Sequence, residues 1–154
     1  MKTKQTWLMY LRKSRQDDPL QTIAEVLAKH ETMLQEYAER ELGGRIPEEN
    51  IYREVVSGES IDDRVEIKKV LARIENPQVV GVLVVEPSRL SRGDLADCAR
   101  VVSAFRFSGT LVGTPMMTYD LTRKMERKFF QDELMRGNDY LEYTKEILLR
   151  GRIG

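Results

Sequence analysis

Several things are scarce in this sequence, and each scarcity excludes a class of protein. A single cysteine, Cys98, stands among 154 residues, which excludes a disulfide framework and a multi-cysteine zinc site and indicates a reducing compartment. The 25 basic residues balance the 25 acidic ones, so the chain is not a polycation that binds nucleic acid by bulk charge. The longest apolar run, Val79 to Val85, is too short to span a membrane. No signal-peptide hydrophobic region follows the basic first residues, so we expect a cytoplasmic protein.

The familiar phosphate and metal motifs are absent as well. The sequence contains no G-x-x-x-x-G-K-[ST] loop, no G-x-G-x-x-G turn and no H-E-x-x-H pair. No cluster of carboxylates predicts a two-metal site. We therefore expect no metal and no cofactor, and any phosphate chemistry would depend on arginine electrostatics.

Strand and helix patterns alternate over the first three quarters of the chain. Short apolar runs predict strands at Thr6–Leu11, Ile51–Val56, Val79–Val85 and Thr110–Thr114. Helices are predicted between them, from the capping boxes Thr22/Glu25 and Asp63/Glu66 and from about Asp94 to Phe105. The run at 79–85 does not alternate, which is typical of a parallel strand buried on both faces. The fold class predicted is α/β, a three-layer domain with a mostly parallel central sheet flanked by helices.

The last quarter predicts a different element. No proline occurs from Asp120 to Arg150, and an unbroken helix of about 30 residues would be about 45 Å long. Such a helix would project from the domain or pack on a partner, unless Gly137-Asn138 breaks it. The predicted division is an α/β domain at 1–119, an oligomerisation or linker helix at 120–150 and the start of a linker at 151–154. The apolar residues proposed for oligomerisation are Leu121, Met125, Phe129 and Leu134.

Polar residues follow the first three predicted strands, at the ends where ligand sites of α/β sheets form. Most of them carry hydroxyl or guanidinium groups, and they include Arg12, Ser14, Ser57, Ser60, Arg64, Glu86, Ser88, Arg89 and Arg92. Arginines at a buried strand end are costly unless they bind an anion, because a guanidinium does not lose its proton. Several arginines around one hydroxyl therefore suit phosphate binding or phosphoryl transfer.

Each of these signals also has an ordinary structural interpretation. Residues 12–15 alone are compatible with a solvated loop or a phosphorylation site, and Arg89 with Arg92 could form surface ion pairs. His30 lies on the apolar face of its helix, where a lone histidine is usually a satisfied core residue. Cys98 has apolar neighbours at helical spacing and is predicted to lie in the core.

Taken together, three motifs resemble those of the serine recombinases. Tyr10–Gln16 resembles the nucleophile motif, Ser57-Gly58-x-Ser60 followed by Arg64 resembles the second motif, and Ser88–Leu95 resembles the third. Their order and spacing fit over roughly residues 6–150. The loop at 16–21 and the segment Tyr140–Tyr143 are most similar to the large serine recombinases, which include phage integrases and clostridial transposases.

The resemblance implies a resolvase-like catalytic domain whose long helix makes dimer and tetramer contacts. It implies that Ser14 attacks a DNA phosphodiester, giving a 5′-phosphoserine link and a free 3′-hydroxyl, followed by strand exchange and religation. Arg12, Arg64, Arg89 and Arg92 match the active-site arginines of the family. The implied partners are a double-stranded DNA attachment site, a second copy in a homodimer, and a tetramer on synapsis. An accessory directionality factor is compatible with this, and no membrane is involved.

Supporting positions are also carried over from the resemblance. His30 matches a helix position that small resolvases fill with glutamine, and Ser57 and Ser60 belong to the second motif. Ser88 stands where small resolvases have an aspartate, and Glu86 lies two residues earlier. Glu86 and Arg89 are therefore alternative proton donors to the departing 3′-oxygen.

Two further expectations concern what surrounds this domain and what else it could be. Large serine recombinases continue into DNA-binding domains that contain zinc, so residues 151–154 would begin the linker to them and the chain would be a catalytic fragment. The alternative function is a non-catalytic oligomerisation or regulatory α/β module that binds phosphate through its arginines. A flavodoxin-like domain binding a phosphorylated small molecule is disfavoured, because residues 12–14 do not form a glycine-rich cradle.

Overall fold

The computed structural model describes residues 6–14, 23–56, 65–91 and 95–134. The strands are β1 (Thr6–Ser14), β2 (Ile51–Val56), β3 (Val79–Leu83), β4 (Leu111–Gly113) and β5 (Thr118–Tyr119). The helices are α1 (Ile23–Glu41), α2 (Val65–Arg73), α3 (Leu95–Ser108) and α4, which is helical from 124 to 134, where the description ends. Short 3-10 turns occupy Glu48–Asn50 and Pro87–Leu90. None of the helices described here is long and apolar enough to cross a membrane.

The five strands form one sheet in the order β2-β1-β3-β4-β5. The first four strands are parallel, and β5 pairs antiparallel with β4. The chain moves from β1 to one side for β2, then crosses back past β1 to reach β3 and β4. Because crossovers between parallel strands are right-handed, this reversal places α1 on the face opposite to α2 and α3. The predicted three-layer α/β fold is confirmed.

Both faces of the sheet are buried, and β1 contributes to each by alternation. Leu8 and Tyr10 are fully buried on the face that α2 and α3 cover. Met9 and Leu11 are buried on the other face, against Leu34 of α1. This two-sided burial explains why the apolar run of β1 does not alternate with polar residues. Cys98 is 5% exposed and lies in the core, as predicted.

The first strand is longer than the sequence predicts. The polar residues 12–14 are expected to begin a loop, but they continue β1 and pair in parallel register with Glu54, Val55 and Val56. The ladder with β2 satisfies the backbone groups there, so polar side chains do not end the strand. The consequence is that Ser14 is the last residue of β1, directly at its carboxyl end.

Several other boundaries differ from the predicted ones. β3 ends at Leu83 and not at Val85, because the chain turns there towards the 3-10 turn at Pro87. The two-residue strand β5 is too short to produce a sequence pattern. The last helix begins at 124 and not at Asp120. Asp120 instead forms a turn, in which its Oδ1 accepts hydrogen bonds from the Thr122 backbone N–H at 3.0 Å and hydroxyl at 2.6 Å. Residues 135–150 of the predicted long helix lie outside the described part.

A tryptophan fixes how β1 packs beside β3 and β4. A Cβ atom on Gly81 would lie 2.4 Å from Cζ3 of Trp7, and one on Gly113 would lie 3.1 Å from the same atom. The indole therefore lies directly over these two glycines, and a side chain at Gly81 would displace it. At the end of α1, Gly43 has a φ of +84°, the left-handed conformation that allows the helix to stop there.

Candidate active site at the carboxyl end of the sheet

The strand order places a topological switch point between β1 and β3. The connection leaving β1 leads to β2 on one side, whereas the connection leaving β3 leads to β4 on the other. The loops after these two strands therefore diverge at their carboxyl ends. In open α/β sheets this topological switch point is where ligands bind. The residues that follow β1 and β3 are the ones that the sequence singled out.

Two of the predicted arginines meet at this switch point. Arg89 Nη1 donates a hydrogen bond to the backbone carbonyl of Arg12 at 3.4 Å, across 77 positions of sequence. The Nε atoms of both residues are inaccessible to solvent. The Arg89 side chain is only 17% exposed. The structure thus brings a second guanidinium group to the carboxyl end of the strand that carries Arg12 and ends at Ser14.

The 3-10 turn at Pro87–Leu90 holds Arg89 in place. Pro87 and Leu90 are buried and anchor the turn, and the Arg89 N–H donates to the Glu86 carbonyl at 3.1 Å. The Glu86 carboxylate lies 3.3 Å from Arg89 Nε and is half exposed. Directly after the turn, Ser91 is 2% exposed and its hydroxyl lies 3.5 Å from the Cys98 thiol. Burial on both sides leaves the backbone of the Arg89 turn little freedom.

A buried carboxylate connects β1, β2 and α2 beside these arginines. Glu54 is 5% exposed and pairs in register with Arg12. Its Oε1 accepts a hydrogen bond from the Tyr10 hydroxyl at 2.6 Å and one from the Ile67 N–H at 3.1 Å, and its Oε2 accepts one from the Glu66 N–H at 2.7 Å. Glu54 therefore caps the first turn of α2, where a negative charge is favourable.

The remaining predicted residues are placed only in part. Arg64, Arg92, Ser57 and Ser60 lie outside the described residues. The Ser14 backbone ends β1 opposite Val56. Ser88 is half-buried within the 3-10 turn, and its carbonyl accepts a hydrogen bond from the Ser91 N–H at 3.4 Å. His30 is half-buried on α1, the helix that covers the opposite face of the sheet from α2 and α3. These roles stay predictions.

The four residues predicted for oligomerisation divide into two pairs. Leu121 and Leu134 are at most 1% exposed and pack in the core with Phe130. They face the sheet, so they are not available to another copy while this core is intact. Met125 and Phe129 are 66% and 49% exposed. The predicted contact surface on α4 is therefore reduced to these two side chains.

Sequence reasoning did not identify Tyr10 and Glu54 as a pair. Tyr10 falls inside an apolar strand and resembles a core residue. The sequence feature that could have identified the pair is Glu54. It is a carboxylate in the middle of a predicted strand, where a charge is rarely buried without partners. The capping box assigned the Glu66 N–H to Asp63, but Glu54 accepts that hydrogen bond. The Glu66 carboxylate instead binds Lys69 at 2.9 Å.

A third arginine, Arg53, has a structural role and is bonded to two carboxylates. Arg53 binds Glu31 at 2.6 Å and Glu48 at 2.5 Å on the side of the sheet that α1 covers. The hydrogen bond that Arg53 donates to the Glu48 carboxylate, together with those that it donates to the Glu31 carboxylate, raises the pKa of Arg53 above its ordinary value. The same hydrogen bond lowers the pKa of Glu48. Two carboxylates therefore hold this guanidinium.

A cavity elsewhere does not contain the predicted residues. It measures about 480 Å³ and lies at the amino end of the sheet, between the start of β1 and the loop after α1. Trp7, Arg45 and Arg73 are among the residues that line it. Within the described ranges, no group of three or more histidine, cysteine or acidic side chains could hold a metal ion. The candidate site is therefore the switch point at the carboxyl end of the sheet.

A protein-family model matches most of this chain. The model of the family described as "Resolvase, N terminal domain" matches residues 7–135, a span that contains all of β1 except Thr6, the Arg89 turn and the described part of α4. The chain belongs to the resolvase family of serine recombinases. The resolvase family is a family of DNA recombinases, and DNA recombination is the general activity that this membership supports.

Solved structures share the resolvase fold with this chain. The N-terminal catalytic domain of TP901-1 integrase matches with a TM-score of 0.61 and 19% identity, over 92% of this chain and 99% of that one. The C-terminal catalytic domain of ISC1926 TnpA, an IS607-like serine recombinase, matches with a TM-score of 0.56 and 21% identity. That match covers 71% of this resolvase-family chain, which spans 66% of the TnpA domain. A serine recombinase from Sulfolobus solfataricus matches with a TM-score of 0.55 and 20% identity, over 80% of this chain and 74% of that one.

Proposed function

We propose that this chain is the catalytic domain of a site-specific DNA recombinase in which Ser14 is the nucleophile. The observation that carries the proposal is the hydrogen bond from Arg89 to the Arg12 carbonyl at the switch point, beside the strand that ends at Ser14. Arginine is a suitable residue for a phosphodiester because its planar donors match the phosphate oxygens and its charge is permanent. The site therefore combines a hydroxyl at a strand end with fixed cations.

The proposed reaction exchanges one phosphate ester for another. The Ser14 oxygen attacks the phosphorus, an O–P bond forms to the serine, and the bond from phosphorus to the 3′-oxygen breaks. The serine hydroxyl loses its proton to solvent and the departing 3′-oxygen gains one, so the number of protons is unchanged overall. The product is a 5′-phosphoserine link with a free 3′-hydroxyl, and the reverse reaction rejoins the strands after exchange. Phosphoester bonds are conserved, so no external energy source is required.

The arginines are proposed to stabilise the charge that develops on the phosphoryl oxygens. The Arg89 guanidinium contacts the backbone carbonyl of Arg12, and the side chains of Arg12, Arg64 and Arg92 are proposed to complete the set. Catalysis of phosphoryl transfer consists largely of positioning and charge neutralisation, which fixed guanidinium groups supply without reorganisation. Glu86 and Arg89, whose side chains lie 3.3 Å apart, are the two alternatives proposed for the leaving oxygen: Glu86 would transfer a proton to it, whereas Arg89, which keeps its charge, would donate a hydrogen bond to it.

The test is covalent trapping at Ser14. The chain is incubated with a pool of nicked duplex DNA of randomised sequence, and adducts that resist SDS are digested and located by mass spectrometry. We expect a nucleotide phosphate on Ser14 and no adduct above background for Ser14→Ala. Ser103→Ala, a change to an exposed serine of α3, is the matched control and should keep the wild-type yield. Equal yields from wild type and Ser14→Ala, or no adduct from wild type, would contradict the proposal and favour the non-catalytic phosphate-binding module.

A further inference from the structure

The cavity of about 480 Å³ at the amino end of the sheet is separate from the proposed recombination site. Residues at the starts of three parallel strands line it, namely Thr6 and Trp7 of β1, Asn50 before β2 and Gln78 before β3. The loop after α1 and the last residue of α2, Arg73, also line it. Its volume lies within the range of about 300 to 1,000 Å³ that is typical of small-molecule pockets. The cavity is therefore large enough for an organic ligand.

Arg73 brings a positive charge to this cavity and uses only one of its nitrogens to bind the protein. Its Nη1 donates hydrogen bonds to Asn50 Oδ1 at 2.7 Å, to the Tyr52 hydroxyl at 3.1 Å and to the Glu49 carbonyl at 3.4 Å. All three acceptors are neutral, and no carboxylate of the described residues forms an ion pair with Arg73. The Nε and Nη2 groups make no hydrogen bond in that part of the chain. These two nitrogens present the parallel donors that bind a carboxylate at two points.

Asn50 adds a second donor at the same place. Its side chain is buried, at 8% exposed, and its Oδ1 accepts from Arg73. Because a guanidinium can only donate, this bond fixes the oxygen towards Arg73 and leaves the amide NH2 on the other side. That NH2 group has no acceptor among the described residues and is not sealed from solvent. A nearly buried amide with unused donors is favourable only when water or a ligand accepts from it.

Trp7 provides an aromatic wall of the cavity. Its ring lies over Gly81 in the sheet, yet the residue is only half-buried and lines the cavity. Leu42 and Pro47, from the loop after α1, add apolar surface to the lining. Small-molecule sites typically combine such apolar walls with a few polar groups that fix the orientation of the ligand. The lining thus favours a ligand with an apolar ring as well as a charged group.

The other charges of the lining limit the charge of the ligand. Arg45 binds Glu39 at 2.7 Å at the surface, so its charge is already compensated. Glu49 is an exposed carboxylate that also lines the cavity. It would repel a second negative charge near Arg73, because like charges at close range are unfavourable. A monoanion such as a carboxylate is therefore favoured over a phosphate dianion.

We propose that this cavity binds a small aromatic carboxylate, whose oxygens accept hydrogen bonds from Arg73 and Asn50 and whose ring packs against Trp7. The inference goes beyond the proposed function and does not depend on it, since the cavity contains none of the residues proposed for DNA cleavage. Binding can be measured without DNA.

The alternative is that Arg73 only attaches the 3-10 turn Glu48–Asn50 to α2. The fold contains an arginine of that purely structural kind. Arg127 on α4 is half-buried and donates through Nη1 to the Leu121 carbonyl at 3.0 Å, but it does not line this cavity. Arg127→Gln is therefore the matched control for Arg73→Gln, because both substitutions remove a half-buried guanidinium bonded to neutral acceptors.

The first experiment titrates the full chain with benzoate and follows the indole N–H of Trp7 by nitrogen-edited NMR. The chain contains one tryptophan, so this group gives a single resonance. We expect a saturable shift with a Kd on the order of 1 mM, as suits so small a ligand. Benzamide, which has the same shape without charge, and acetate, which lacks the ring, should each bind at least about 10-fold more weakly. No shift with benzoate, or equal binding of benzamide or acetate, would overturn the proposal.

The second experiment measures benzoate binding to three variants whose folding is verified by circular dichroism. Arg73→Gln should raise the Kd by about 10- to 100-fold, whereas Arg127→Gln should change it less than twofold. Asn50→Asp keeps an acceptor for Arg73 Nη1, so it should fold even if Arg73→Gln does not. Its carboxylate would occupy Arg73 and repel benzoate, so the Kd should rise at least about 10-fold. A wild-type Kd in folded Arg73→Gln or in Asn50→Asp would show that Arg73 has only a structural role.

Discussion

The two ends of the parallel sheet are built differently. At the amino end, Trp7 packs over Gly81, and Gln35 binds both backbone polar groups of Ile46. These contacts use close packing and a neutral amide. At the carboxyl end, Glu54 caps α2 and Arg89 donates to the Arg12 carbonyl. That end is held together by ionised side chains that are largely removed from solvent.

The two ends differ in whether the contacts just described require charged side chains to be removed from water. Removing an ionised group from water is unfavourable unless partners replace the lost hydration, and a well-packed apolar replacement is often as stable. The amino end has no such groups in the contacts just named. Under the proposed function, the arginines at the switch point bind phosphate, whereas Arg73 at the amino end is bonded to Asn50 and Tyr52. Changes at the carboxyl end should affect the reaction, and changes at the amino end should affect unfolding and leave the reaction unchanged.

The largest effect on activity, apart from loss of the nucleophile, is expected for Arg89→Gln. Removal of one preorganised donor to a developing negative charge typically reduces turnover by about 100- to 1,000-fold, so adduct formation should fall by at least about 100-fold. Arg53→Gln is the matched control, since Arg53 is also a partly buried arginine but binds Glu31 and Glu48. Because Arg53 is 34% exposed, its loss should lower the free energy of unfolding by only about 1 kcal/mol.

Single-turnover trapping gives the rates, and urea unfolding gives the stabilities. The comparison between the two arginines fails if Arg53→Gln slows adduct formation as much as Arg89→Gln does. It also fails if Arg89→Gln reacts at the wild-type rate while remaining folded.

At the amino end, Gly81→Ala should reduce stability and leave the chemistry unchanged. The new Cβ would lie 2.4 Å from the Trp7 ring, so the indole must shift within a packed layer. Overpacking of this kind costs about 1 to 3 kcal/mol in free energy of unfolding. Gly44→Ala, where a Cβ would meet nothing within 4 Å, should change that free energy by less than about 0.5 kcal/mol. Urea unfolding measures both, and a Gly81→Ala variant that is folded but slow in adduct formation would show that the two ends are not independent.

Some features of the fold and of the candidate site could be predicted from the sequence, and others could not. The alternation of apolar runs with capping boxes predicts the parallel sheet, and the residues after its strands predict the meeting of Arg12 and Arg89, 77 positions apart. The two positions lie close together because topology places the carboxyl ends of parallel strands at one edge of the sheet. The length of β1 was not predictable, because pairing with β2 extends it through three polar residues. The bond between Tyr10 and Glu54 depends on the register of two strands, which no local pattern specifies.

The smallest effect is expected for Asp120→Asn, which tests whether charge outside the switch point matters to the reaction. The hydroxyl and N–H of Thr122, with Arg123 nearby, lower the pKa of Asp120 despite partial burial. A carboxylate with a lowered native-state pKa adds stability above its unfolded pKa of about 4, and this contribution is lost as the pH falls through the native value. Asn keeps an acceptor for Thr122, so only the contribution of the charge is lost. That contribution is about 0.5 kcal/mol in free energy of unfolding for a side chain that is 31% exposed.

Urea unfolding should therefore show a difference in free energy of unfolding between Asp120→Asn and wild type at pH 7 that becomes smaller at pH 3. Asp132→Asn on α4 is the exposed control. A difference that grows towards low pH, or a change in the rate of Ser14 adduct formation, would contradict the separation of stability from chemistry.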